Sequence, residues 1–185
     1  MAKPRRQPLG HISVTSTQRR LRISADRIRR LVEFVAKNER RPIDQLDILI
    51  VGRRRMTTLN AQLLHHRGCT DVISLDLGDG PTGGLCGQIV VCADVAIAQA
   101  RLRGQPAWKE LLLYITHGLL HVMGYDDQTE AQGRRMHRRE DQLLEEFGAG
   151  PIYAGAFLGR PARRPSRLSI TLAKNARSRN RSARG

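Results

Sequence analysis

Aromatic residues are scarce in this chain: Phe, Trp and Tyr make up 4% of its 185 residues, with a single Trp. Trp108 and the three tyrosines are too scattered for a platform on which bases stack. Cysteines are few as well: Cys69, Cys86 and Cys92 are odd in number and lack a C-x-x-C spacing. That argues against a disulfide framework and for a reducing cytosol. Long apolar runs are missing; Leu111 to Ile115 soon gives way to Thr116 and His117, so no segment is expected to span a membrane. The N-terminal MAKPRRQPLGHIS carries charge without an apolar h-region, so no secretory signal is expected. Acids are also short: 17 Asp and Glu face 32 Lys and Arg, a net charge of +15. Nine of the bases and no acid follow from Arg160 onward, which leaves +6 on residues 1–159. Arginine outweighs lysine, and its planar fork suits phosphate oxygens. The balance points to a nucleic-acid partner whose affinity falls as salt rises, against the plainer reading of a solvated basic surface.

What is present organises into one domain over residues 11–150, between a basic arm (1–10) and a basic tail (151–185) expected to be disordered. HISVTSTQRRLRIS alternates like a strand through Ile12, Val14, Leu21 and Ile23. Ser24 is placed to cap a helix through DRIRRLVEFVAKNE, whose Ile28, Leu31, Val32, Phe34 and Val35 form an apolar stripe. Residues 45–52 and 70–77 read as strands, 56–66 as a short helix, and GDGPTGG as a turn. GQIVVCADVA starts as a strand and turns helical near Ala93. Trp108 to Met123 reads as one long apolar helix, and Thr129 to Phe147 as an amphipathic charged one. About four strands and as many helices predict an α+β fold: a small mixed four-stranded sheet with helices around it.

The chemistry concentrates in HGLLHVMGYDDQTE, residues 117–130. His117 and His121 are four apart, so a helix puts both imidazoles on one face, one turn apart, where they can grip a single ion. Gly124 can end that helix in a left-handed conformation, and the returning chain brings Asp127 within reach as a third ligand. The bland alternative is a pair of hydrogen-bonded core histidines. Asp127 with Glu130, or Thr129 with Gln132, also fits a helix capping box. The apolar setting favours the ligand reading, because buried imidazoles need partners. In the H-E-x-x-H protease motif a glutamate general base follows the first histidine; here that residue is Gly118, which disfavours such a protease.

HGLLHVMGYDD resembles the signature of the YbeY family of bacterial endoribonucleases, H-G-x-L-H-x-x-G-Y-D-H. LNAQLLHHRGCTDVISLDL (59–77) and GQIVVCADVAIAQA (87–100) are similar to further family segments in the same order, so the resemblance covers residues 46–147. It implies a mixed sheet with surrounding helices and a single-strand-specific, metal-dependent RNase. It further implies a role in ribosomal RNA maturation at the 16S 3′ end and in ribosome quality control, in the cytoplasm, on or near the small ribosomal subunit. The zinc ligands it implies are His117, His121 and, where the family has a third histidine, Asp127. A carboxylate there makes the ion a weaker Lewis acid and admits harder metals such as Mn²⁺. The chain departs elsewhere too: Leu64 stands where the family has an arginine, Cys69 where it has a proline, and Gln88 where it has an aspartate. Arg67 is the nearby candidate for the reacting phosphate, Asp126 for orienting a ligand histidine or for a plain turn role, and Arg53, Arg54 and Arg55 for binding RNA. Ser74 and Thr70 are candidates for lining the cleft. The competing reading is a non-catalytic ribosome-assembly factor with a structural metal.

Overall fold

Apolar positions in this chain recur at two periods, and each period becomes its expected element. The computed structural model describes residues 10–152. The elements run β1 (His11–Ser16), α1 (Ala25–Asn38), β2 (Ile43–Val51), α2 (Arg53–Leu64), β3 (Val72–Asp79), β4 (Leu85–Cys92), α3 (Ala93–Leu102), α4 (Ala107–Val122) and α5 (Glu130–Glu146). One four-stranded sheet has the order β1-β2-β4-β3. β1, β2 and β4 are parallel, and β3 returns antiparallel on β4, so the sheet is mixed as expected.

The period of two divides each strand between two apolar layers. Leu46, Ile48, Ile50, Val72, Ile89 and Val91 pack with α1, α4 and α5 in the main core. Val51, Ile73, Leu75, Val90 and Cys92 face the other way, onto Met56 and Leu64 of α2. α4 is the central element. Every residue from Glu110 to Val122 is buried, which suits a helix apolar around its whole circumference. Its direction follows from its packing on the sheet: Gly118 lies against Ile89 and Val72, and Val122 against Gly87. α4 therefore runs antiparallel to β4, and its C-terminal turn sits toward the N-terminal end of that strand.

Several boundaries differ from the expectation. Leu21 and Ile23 pack on the core but lie outside β1. The Gln18 side chain closes the intervening loop instead: its Oε1 accepts from the Arg20 and Leu21 N–H groups at 2.8 and 2.9 Å. Ser24 occupies the N-cap of α1, yet its hydroxyl makes no capping bond. α2 begins at Arg53 rather than Met56, because the Asp94 carboxylate accepts the Arg53 N–H at 2.7 Å. Among the described residues the helices number five, one at each segment read as helical. Packing continues past residue 150: Ile152 is buried, and its N–H donates to Asp141 Oδ1 at 2.8 Å. The arm through residue 9 and the tail from residue 153 lie outside the described residues. No described helix is long and apolar enough to cross a membrane.

Candidate metal centre

The site is built where α4 ends. Gly124 takes φ +95°, its N–H donates to His121 O at 2.9 Å, and the Tyr125 N–H reaches Leu120 O at 3.0 Å. This is a Schellman ending, and glycine is the residue that enters the left-handed region without strain. The turn brings Tyr125 back beside its own helix, so the Tyr125 carbonyl accepts from His121 Nδ1 at 3.0 Å. The Tyr125 hydroxyl donates to Glu39 Oε2 at 2.9 Å, and Arg139 Nε donates to Glu39 Oε1 at 2.6 Å. Those bonds pin the turn to the end of α1 and to α5.

The next residues settle which box caps α5. Thr129 Oγ1 accepts the Gln132 N–H at 3.2 Å, and Gln132 Oε1 accepts the Thr129 N–H at 2.8 Å. Thr129, not Asp127, is the N-cap. The Asp127 carboxylate is left to face the histidines, with Oδ1 at 3.7 Å from His121 Nε2 and Oδ2 at 3.9 Å from His117 Nε2. Asp126 Oδ1 accepts from the Asp127 and Gln128 N–H groups at 2.8 and 3.3 Å. Of its two expected roles the structure displays the turn role, and that turn aims Asp127.

The protonation pattern follows from the partners. A backbone carbonyl only accepts, so His121 carries its proton on Nδ1. His117 Nδ1 lies 2.5 Å from Glu140 Oε1, and both side chains are fully buried, so its proton also sits on Nδ1. Each Nε2 then presents a lone pair, and the two nitrogens are 3.1 Å apart. Burial pushes the His121 pKa below its ordinary value; Asp127, the Tyr125 carbonyl, Glu140 and Asp126 pull the other way without overcoming it. Two lone pairs and a carboxylate, with ligand atoms all within 4.8 Å of one another, make a set whose mutual repulsion a divalent cation relieves. The residues present fit a metal ion.

Glu140 is the residue that sequence reasoning missed. The charged string RRMHRRED hides it, but it lies on the buried stripe of α5 with Met136, Leu143 and Leu144. An acid at helical spacing within an apolar stripe was the available signal. Gly118 gains a physical account too. A Cβ there would stand 2.7 Å from Ser74 Oγ, 3.0 Å from Ile89 Cγ2 and 3.1 Å from Val72 Cγ2. The position faces the sheet at closest approach, so it has no room for the glutamate of the protease motif.

The sequence model of the family described as Endoribonuclease YbeY matches residues 13–148. The chain belongs to the endoribonuclease YbeY family. It is 36% identical over 154 residues to an endoribonuclease YbeY of an Anaeromyxobacter species, covering 82% of this chain and 79% of the relative. To that of Geobacter sulfurreducens it is 32% identical over 146 residues, covering 74% and 97%. A solution structure of a Thermotoga maritima protein superposes with a TM-score of 0.51 at 21% identity, over 75% of this chain and 93% of the other, and supports the fold.

The other expected site residues lie on α2, in the α2–β3 loop and on β3. Arg67 is exposed in the α2–β3 loop and makes no hydrogen bond or ion pair among the described residues. Leu64, where YbeY relatives were expected to carry arginine, is buried in the α2 layer, which is no place for a phosphate ligand. Arg53, Arg54 and Arg55 are exposed on the first turn of α2, beyond the Val51–Cys92 end of the sheet. That is the opposite sheet end from Val122 and the C-terminal turn of α4. Thr70 and Ser74 are buried, and Ser74 Oγ lies beneath Gly118.

Proposed function

We propose that this chain is a single-strand-specific, metal-dependent endoribonuclease that matures ribosomal RNA at the 16S 3′ end and serves ribosome quality control. The proposed partner is precursor RNA on or near the small ribosomal subunit, in the cytoplasm. One observation carries the catalytic part: two imidazole Nε2 atoms and one carboxylate converge at the end of a buried helix. His117, His121 and Asp127 would hold the ion. Zn²⁺ suits a set of two nitrogens and one oxygen, and the carboxylate leaves room for Mn²⁺. When bound, a divalent ion supplies Lewis acidity toward a phosphoryl oxygen and lowers the pKa of a bound water.

The chain's own groups do the rest. Glu140 and the Tyr125 carbonyl hold the two imidazoles in the tautomer that points Nε2 inward. Asp127, partly exposed, keeps one side of the set open to substrate. Arg67 is proposed as the cation for a phosphate near the cleaved bond, and Arg53, Arg54 and Arg55 as partners of more distant phosphates. A second reading, an assembly factor with a structural metal, is favoured by one observation: the apolar Leu64 at the arginine position.

Metal analysis together with digestion of a single-stranded RNA separates the two. The enzyme reading expects about one ion per chain and cleavage that His121→Ala abolishes. A full complement of metal without His121-dependent cleavage would select the assembly factor.

A further inference from the structure

Three parallel strands end at one edge of the sheet, and two arginine clusters leave from it. Ser16 pairs with Ile50 and Val51 with Cys92, so β1, β2 and β4 all terminate at the same level. β1 runs into Arg19, Arg20 and Arg22, and β2 into Arg53, Arg54 and Arg55; all six are exposed. Asp94, just after β4, ties the two groups together. Its Oδ1 accepts from Arg20 Nη1 at 2.6 Å, while its Oδ2 accepts the Arg53 N–H at 2.7 Å. The Asp94 side chain is only 13% exposed, whereas that of Arg20 is 69% exposed, so the acid is covered and the cations face solvent. The same end holds the chain's one tryptophan. Arg27, in the first turn of α1, places its guanidinium 3.8 Å from the centroid of the Trp108 ring, in the first turn of α4. Among described acids nearby, Asp26 is occupied by Arg29 at 2.8 Å.

This surface is separate from the metal centre. Trp108 and His121 stand at opposite ends of α4, roughly 20 Å apart at the usual helical rise. We propose that the end of the sheet bearing Arg19, Arg20, Arg22, Arg53, Arg54 and Arg55 is a second docking surface for the RNA sugar-phosphate backbone. It would hold a part of the RNA away from the strand presented to the histidines. The proposal rests on the endoribonuclease reading for its partner and extends it from one strand at the metal to a longer RNA spanning two sites. Guanidinium groups from two separate segments, which Asp94 links through the Arg20 side chain and the Arg53 backbone, suit phosphates spaced along a backbone and carry no base readout.

The test is equilibrium binding of a fluorescein-labelled RNA of about 30 nucleotides to the full-length protein across a salt series. The variants are Arg19→Ala/Arg20→Ala/Arg22→Ala and Arg54→Ala/Arg55→Ala, with Lys37→Ala/Arg40→Ala as a charge control from the far end of α1. Circular dichroism melting confirms that each is folded. Each patch variant should weaken binding about tenfold or more at low salt. Its log–log salt slope should fall by about 0.7 for every phosphate that is no longer neutralised, beyond the change in the control. Patch variants that match the control would overturn the proposal. Failure of the enzyme reading looks different: RNA that is bound with an arginine-dependent slope but never cleaved leaves this surface standing, while metal-dependent cleavage with an unchanged slope removes the surface alone.

Discussion

Asp127 and Glu140 divide two tasks between them. Asp127 joins His117 and His121 in the group that could hold an ion, and Glu140 hydrogen-bonds the first histidine from behind. Glu140→Gln keeps an acceptor but removes the buried charge, and should weaken metal affinity about 10- to 100-fold, read by competition with a chromophoric chelator. Unchanged affinity would mean that the carboxylate does not orient His117. Gly118→Ala should destabilise the fold by about 1–3 kcal/mol in thermal or urea unfolding, because Ser74, Ile89 and Val72 leave its Cβ no space. The meeting of His117 and His121 was legible in the sequence, since a separation of four on a helix puts both imidazoles on one face. Glu140 was not, because only the fold shows which of the charged residues on α5 faces inward. Asp127 stayed ambiguous for a related reason: two capping boxes overlapped, and only backbone geometry chose between them.

At the scale of elements, the loop between α4 and α5 is what brings Asp127 to the two histidines. Its two ends are fixed by the Schellman turn at Gly124 and the capping box at Thr129. Thr129→Ala should cost about 1 kcal/mol of stability and should also weaken metal binding, since it loosens the segment that aims the carboxylate. A stability loss with metal affinity untouched would show that the loop holds its shape without the cap. Helices and strands with strong periodicity were readable from sequence; the exceptions have physical causes. α2 starts early because Asp94, forty-one residues away, caps it, and a local pattern cannot report a distant acceptor. β1 stops short because the Gln18 side chain takes the backbone donors that a longer strand would use.

The whole molecule couples folding to the site. Burial holds His121 below its ordinary pKa. On acidification the unfolded chain takes up a proton near pH 6.5, while the folded chain resists until lower pH. Metal-free protein should therefore lose stability as pH falls below about 6.5, and a melting series across that window checks the sign. Divalent metal should raise the melting temperature, because it binds the folded state, and this gain should shrink in acid as protons compete for the imidazoles. The basic tail makes a separate prediction: deletion from Arg160 removes nine Lys and Arg and should flatten the salt dependence of RNA binding. An unchanged slope would leave the tail without that role. The general architecture was visible in the alternation of strand and helix patterns, but the gathering of Arg19–Arg22 and Arg53–Arg55 at one edge was not, because it depends on strand register. The proposal for His117, His121 and Asp127 is that they would hold the ion on which RNA cleavage depends. Its most direct test is single-turnover cleavage of a single-stranded RNA while Zn²⁺ or Mn²⁺ is titrated into chelator-stripped protein. Cleavage that rises to a plateau at about one ion per chain, and is absent in His121→Ala at the same metal concentrations, is the predicted result; cleavage that proceeds without metal, or survives in His121→Ala, would contradict it.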